Sequence, residues 1–147
     1  MENENSNDDS SQRYVLGSHV GFLLRLANQR HAAIFQRLAP FGLTPTQFGA
    51  LMKLAERGPC SQNELGRRTA VDVATIKGVV DRLKKKGLVN QKPDLNDKRR
   101  SMLSISERAE ELVPELGKIG HQISGETLSP LTEEERIAFL SLLKKLG

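Results

Sequence analysis

Residues 60–105 constrain this chain more tightly than any other stretch, because 46 residues hold two helix starts, a helix stop and an alternating hairpin pattern in fixed order. Ser61 followed three residues later by Glu64 is the capping-box signal for a short helix running through Arg68. Asp72 is the next N-cap, and the helix it opens places Val73, Ile76, Val79, Val80 and Leu83 on one side. Its other side shows Ala74, Thr75, Lys77, Gly78 and Asp81, then Lys84 and Lys85. Gly87 ends that helix. Leu88 and Val89 begin a strand, and Met102, Leu103 and Ile105 supply the return, with Pro93, Asp94, Asn96 and Asp97 in the turn between.

Charge follows the same plan. Between Ser61 and Arg100 stand eleven Lys or Arg against five acids, so the segment is +6 in a chain that is +4 overall. Helix, turn, basic helix and charged hairpin together are the layout of a winged helix-turn-helix. Small and polar groups near the start of the second helix suit a major groove, and the bases toward its end suit flanking phosphates. The hairpin tip carries Asp97, Lys98, Arg99 and Arg100, and an arginine there is placed to enter a narrow minor groove. Taken alone, the helix face reads more readily as a solvated charged surface, and the hairpin as an ordinary polar one. Their order in one segment favours DNA.

The flanks read as helices. Leu16, Val20, Leu23, Ala27, Ile34 and Leu38 predict one long helix over residues 12–38, stopped before Pro40 and Gly42. Thr44 before Pro45 caps a second helix whose inner face is Phe48, Leu51, Met52, Leu54 and Ala55, ended by Gly58 and Pro59. Ser106 opens a helical pattern through Leu112, Val113, Leu116, Ile119 and Ile123, with a kink expected at Pro114 and weakening at Gly117 and Gly120. The last helix starts near Thr132, with Glu133, Glu134 and Glu135 in its first turn, Lys144 and Lys145 in its last, and Ile137, Leu140, Leu143 and Leu146 as an apolar stripe.

A hydrophobic fraction of 37% is low for a 147-residue monomer that buries all its apolar surface itself. The terminal helices are therefore expected to join two subunits. The expected architecture is mainly α with a small β wing: a winged helix-turn-helix with N- and C-terminal dimerisation helices. Residues 1–11 read as a disordered acidic tail and 12–147 as a single domain, with dimerisation helices at 12–42 and 106–147 and a DNA-binding lobe at 43–105. Four of the 18 acids lie in the tail, so the remaining 22 bases and 14 acids give the body +8, which points to a polyanion partner.

Other classes fit poorly. No run of eighteen apolar residues and no basic, apolar leader are present, so a cytoplasmic protein without membrane insertion is expected. The single cysteine, Cys60, excludes an internal disulfide. The absence of Trp and the single Tyr argue against a stacking platform for single strands. Three scattered histidines give little support to a metal sensor. No phosphate-binding glycine loop, nucleophile elbow or paired His and Cys signature occurs, so neither an enzyme nor a cofactor is expected.

The chain resembles the MarR family of bacterial winged-helix regulators over roughly residues 15–146. The likeness rests on LTPTQFGALMKL at 43–54, SQNELGRRTAVDVATIKGVVDRLKKKGLV at 61–89, and the wing PDLNDKRR at 93–100 leading into LSIS at 103–106. It implies an obligate dimer with interleaved terminal helices, a pseudo-palindromic operator in double-stranded DNA, and repression released by a small ligand or oxidant. It makes residues 73–86 the recognition helix, Thr75 and Lys77 DNA contacts, Asp81, Arg82 and Leu83 the usual helix ending, and Arg99 in the Asp97, Lys98, Arg99 run the minor-groove arginine. Residue reading and resemblance together assign DNA contact to Ser61, Asp72, Val73, Thr75, Lys77, Gly78, Arg82, Lys84, Lys85, Asp97, Lys98, Arg99 and Arg100. Two positions depart from the family pattern: Gln91 stands where an arginine is common, and Ala109 where a glycine is usual.

GFLLRLANQRH at 21–31 and TIKGVVDRL at 75–83 also resemble the branch controlling degradation of nicotinic acid and similar aromatic acids. That likeness implies a small aromatic acid effector, such as a hydroxylated nicotinic acid, bound between the dimer helices and the DNA-binding lobe. An aromatic acid needs an apolar slot with a cationic or hydrogen-bonding end, which His19, Phe22, Arg25, Phe48 and Met52 can supply. The plainer alternative makes His19 and His31 partly exposed helix residues and the phenylalanines core. Cys60, beside a helix N-terminus that can lower a thiol pKa, keeps a redox sensor as a lesser option. The competing class is a winged-helix interaction module that coats DNA without sequence preference or binds an acidic protein.

Overall fold

The computed structural model describes residues 13–147. The acidic tail expected at 1–11 lies outside the described residues. Six α-helices and one two-stranded sheet follow in order: α1 (Val20–Leu38), α2 (Pro45–Arg57), α3 (Gln62–Thr69), α4 (Val73–Lys85), β1 (Val89–Pro93), β2 (Ser101–Ile105), α5 (Glu107–Thr127) and α6 (Glu133–Lys144). The strands pair antiparallel from Val89 opposite Ile105 to Pro93 opposite Ser101. No helix among the described residues is long and apolar enough to cross a membrane.

Local chemistry sets most boundaries. Thr44, Ser61, Asp72, Ser106 and Thr132 each accept, through a side-chain oxygen, the backbone N–H three residues on. Each removes one of the unpaired donors at a helix start. Thr44 with Gln47, and Thr132 with Glu135, complete full capping boxes. The box expected at Ser61 forms only by half: Ser61 accepts from the Glu64 N–H, but the Glu64 carboxylate faces Arg67 and Arg68 instead of reaching back.

The single helix expected over 12–38 is corrected. Residue 12 lies outside the described residues, and Leu16–Ser18 form a separate 3-10 turn. His19 is extended, with φ −95° and ψ 139°, so α1 begins only at Val20. Leu16 and Val20 are four apart and keep helical spacing across the break, which is why periodicity alone joined them; Gly17 and Ser18 are weak helix formers. At the other end α5 contains Pro114 without stopping there, and it extends past Ile123 to Thr127.

The main core is built by α2, α3, α4, the sheet and the first half of α5. Leu51, Leu54, Leu65, Ile76, Leu83, Leu88, Leu103 and Leu116 are its largest fully buried side chains, with Val80. A second, smaller cluster of Ile34, Phe35 and Ile123 joins α1 to the far half of α5. Phe48 packs against both, with its ring edge-on to Phe35 at 5.5 Å between centroids. The sequence boundary at residue 106 therefore falls inside a packed region, since Ala109 and Leu116 are lobe core.

Candidate nucleic-acid interface

The helix-turn-helix depends on a close approach between α3 and α4. Ala70 turns the chain in the left-handed region at φ 54°, and the Val71 N–H then donates to the Gly66 carbonyl at 2.9 Å. A Cβ on Gly66 would lie 2.9 Å from the Val71 carbonyl oxygen, so only glycine fits there without movement. Ile76, Val79, Val80 and Leu83 are buried, which turns Val73, Ala74, Thr75, Lys77, Asp81, Arg82, Lys84 and Lys85 outward.

Several of the residues expected to touch DNA first serve the protein. Asp72 accepts the Thr75 N–H at 2.7 Å through one oxygen and the Thr75 hydroxyl at 2.9 Å through the other. These two bonds hold the Asp72 carboxyl below its ordinary range and leave the Thr75 hydroxyl oxygen free to accept. Gly78 makes room for Arg82: a Cβ there would lie 3.2 Å from the guanidinium. Ser61 caps α3.

The run Lys84, Lys85, Lys86 is divided three ways. Lys84 donates to Gln91 Oε1 at 2.7 Å, tying α4 to the base of the wing. Lys85 is exposed. Lys86 turns inward and donates to the Gly42 carbonyl at 2.9 Å and to Gln47 Oε1 at 2.8 Å. Gln91, which breaks the family pattern, thus anchors the wing base through a lysine.

At the wing tip Asp97 shapes the turn. Its side chain accepts the Arg99 N–H at 3.0 Å and its carbonyl accepts the Arg100 N–H at 3.0 Å, while the Asp94 N–H donates to the Arg100 carbonyl at 2.8 Å. An acid in a basic tip is explained by this scaffolding. Lys98, Arg99 and Arg100 are exposed around it.

Between the start of α3 and the wing lies an open polar cleft of about 380 Å³, lined by Ser61, Gln62, Asn63, Arg67, Gln91, Arg100 and Ser101. Ser61 and Arg100, expected from the sequence to contact DNA, share this cleft with Gln62, Asn63, Arg67, Gln91 and Ser101, which the sequence alone did not single out for DNA contact. Arg67 was visible in the charge count, but the cleft exists only once α3 and the wing are side by side. Arg67 is paired with Glu64, with Nη2 at 2.7 Å, and that hydrogen bond is the main cause holding the Glu64 carboxyl below its usual range.

Cys60 is buried and forms a backbone bridge with Leu103, extending the wing sheet toward α3. Burial pushes its thiol pKa up, and this outweighs the lowering by Arg68. Burial thus acts opposite to the lowering that a helix start can give a thiol.

The residues expected around an effector fall into two groups. His19 stacks on Tyr14 at 3.7 Å between ring centroids, and Arg25 lies 5.3 Å over the Phe22 ring, all on the α1 side. Phe48 and Met52 pack against the lobe core from α2. A different cavity, of about 350 Å³, opens between α1, α5 and α6; it is apolar through Leu24, Ala27, Phe139 and Leu140, and polar through Asn28, His31 and Thr127. His31 Nδ1 and Thr127 Oγ1 lie 2.9 Å apart across it. Nothing in the sequence could pair residues 96 apart.

Comparison with known proteins agrees with this geometry. Residues 43–101 match the MarR family. The chain is 43% identical over 134 residues to the HTH-type transcriptional repressor NicR of Pseudomonas putida, covering 90% of this chain and 85% of that protein. A probable transcriptional regulator from Pseudomonas aeruginosa superposes with a TM-score of 0.87 at 45% identity, covering 90% of this chain and all of the other. BpsR of Bordetella bronchiseptica, whose DNA binding is regulated by 6-hydroxynicotinic acid, superposes at 0.84 with 38% identity, covering 90% and 96%. With its helix-turn-helix, its basic wing and these relatives, the chain belongs to the MarR family of DNA-binding transcriptional regulators.

Proposed function

We propose that this regulator is a cytoplasmic homodimeric repressor of a catabolic or efflux operon that holds a pseudo-palindromic operator until a small aromatic carboxylate releases it. The observation that carries the reading is the exposed face of α4 beside the wing. Thr75, Lys77 and Gly78 line the exposed helix face, with the Arg82 guanidinium beside Gly78, while Lys85 and the Lys98, Arg99, Arg100 tip supply charge on either flank. Val73, 70% exposed at the first turn, suits a thymine methyl. The polar cleft with Arg67 and Arg100 suits a backbone phosphate between the two.

Dimerisation would use 12–42 and 106–147, with 43–105 as the reading lobe. Support comes from the apolar groove formed by Val20 and Leu23 on α1, Leu142 on α6 and Leu146 just beyond it, which no other part of the described residues covers. Two recognition helices about one helical turn of DNA apart then fill successive major grooves. An effector favouring another spacing needs only a few kcal/mol of differential affinity to release DNA. An aromatic acid fits either the His19, Phe22 and Arg25 group or the cavity holding His31. The similarity to NicR and BpsR supports a hydroxylated nicotinic acid as the first effector to try.

The test is selection from random duplex DNA at about 150 mM salt, followed by titration of the recovered site with aromatic carboxylates. The expected result is a palindromic site held about 10³-fold or more above random duplex and released by one acid. Enrichment of no sequence would replace the repressor with a DNA-coating module.

A further inference from the structure

Among the three consecutive lysines that close α4, Lys86 is the one that does not face outward. The residue is half-buried, and its ammonium donates to two neutral acceptors, the Gly42 carbonyl at 2.9 Å and Gln47 Oε1 at 2.8 Å. Both belong to the junction of α1 and α2. Gln47 is 3% exposed, and the same Oε1 accepts the Thr44 N–H that completes the α2 capping box. The junction is itself a tight reversal, with Phe41 at φ 60° and Gly42 at φ 61°. On the far side, Arg108 of α5 donates to the Lys86 carbonyl at 3.2 Å and lies 5.4 Å over the Phe41 ring. The end of α4, the α1–α2 turn and the start of α5 are therefore joined through one residue.

We propose that Lys86 is a positioning residue for operator reading: its ammonium latches the C-terminal end of the recognition helix to the α1–α2 turn, so that the pitch of α4 follows the position of α1. The inference rests on the DNA-reading assignment above. A charge-assisted donor to two carbonyl-type acceptors is directional, so removing the ammonium removes both ties at once. The Gly42 carbonyl also borders an open cavity of about 360 Å³ under the end of α1, so a shift of this turn has room to occur.

The test compares Lys86→Met, Lys86→Arg and Lys85→Met on the selected operator and on random duplex, each as a salt series. For Lys86→Met, operator affinity should fall about tenfold, the size of one or two charge-assisted hydrogen bonds. Random-duplex affinity should stay within about twofold and the salt slope should not change, because non-specific binding is set by phosphate charge. Lys86→Arg should recover most of the loss. Lys85→Met should instead weaken both duplexes and reduce the slope by about one. A Lys86→Met variant that loses both duplexes equally, lowers the slope, or binds as the wild type would overturn the latch. If Lys86→Met does not fold, Lys86→Gln is measured in its place; failure of both to give a folded dimer makes Lys86 a stability element and also overturns it. A wild type that selects no operator would overturn the DNA-reading assignment itself, which separates the two failures.

Discussion

The arm built on α1 and α6 is more apolar than the lobe built on α2–α4, with 17 of 31 residues apolar against 13 of 34, yet it is the lobe that buries its apolar side chains. In the lobe Leu51, Leu65, Ile76, Leu83 and Leu103 are entirely buried by their own chain. On the arm, Val20 is 64% exposed, Ile137 68% and Leu146 71%, and α6 buries no residue at all. Beside the Ile34, Phe35 and Ile123 cluster, α1 and α5 are tied by polar contacts: Arg30 donates to the Glu126 carbonyl at 2.7 Å, and Arg37 pairs with the Glu126 carboxylate. A lobe that is finished alone and an arm that is not teach that folding and assembly are separable here. The reading unit buries its own core, and in the proposed homodimer the arm's apolar surface is completed by a second copy.

The strongest way to break this contrast is Leu142→Glu on α6. The side chain is 58% exposed in one chain, so a charge there should leave the lobe folded yet prevent pairing. Sedimentation should show monomers, and operator affinity should drop about 10²-fold or more as the second half-site contact is lost. A persistent dimer would refute the assignment of α6. Leu65→Ala probes the other side: a fully buried side chain should cost about 2–5 kcal/mol in chemical unfolding, at any protein concentration at which the dimer is retained.

Two smaller effects sharpen the picture within the lobe. Arg99→Ala should lower operator affinity by about 1–2 kcal/mol and flatten the salt dependence while the dimer is unchanged; an unaltered slope would remove Arg99 from the interface. The smallest effect concerns pH. Because the Thr75 N–H and hydroxyl lower the Asp72 pKa below its ordinary 3.8, its stabilisation is complete above that value and is lost as pH falls through the lower folded value. Asparagine also caps helices but does not titrate. The advantage of the wild type over Asp72→Asn in thermal midpoint should therefore shrink as pH drops below about 4, and a constant difference would count against the cap's electrostatic role.

Legibility followed the range of each interaction. The five N-caps act over three residues and could be read directly, as could the hairpin, whose alternation and turn residues are local. The failures were of two kinds. Spacing alone joined Leu16 to Val20 across an extended His19, and a motif at Ser61 and Glu64 promised a reciprocal bond that two nearby arginines took away.

Local sequence specifies the order of the elements, their caps, the sign of the charge on the central segment and the apolar faces of the terminal helices. All of these depend on residues within about one or two helical turns of each other. Packing of distant segments sets the rest: Lys86 faces inward while Lys85 faces out, Gln91 is met by Lys84, Arg67 joins Arg100 in one cleft, and His31 meets Thr127. The physical reason is that a charged or hydrogen-bonding side chain on a helix has several partners within reach of its own turn. Which one it takes is set by the surfaces that packing brings against it from distant parts of the chain.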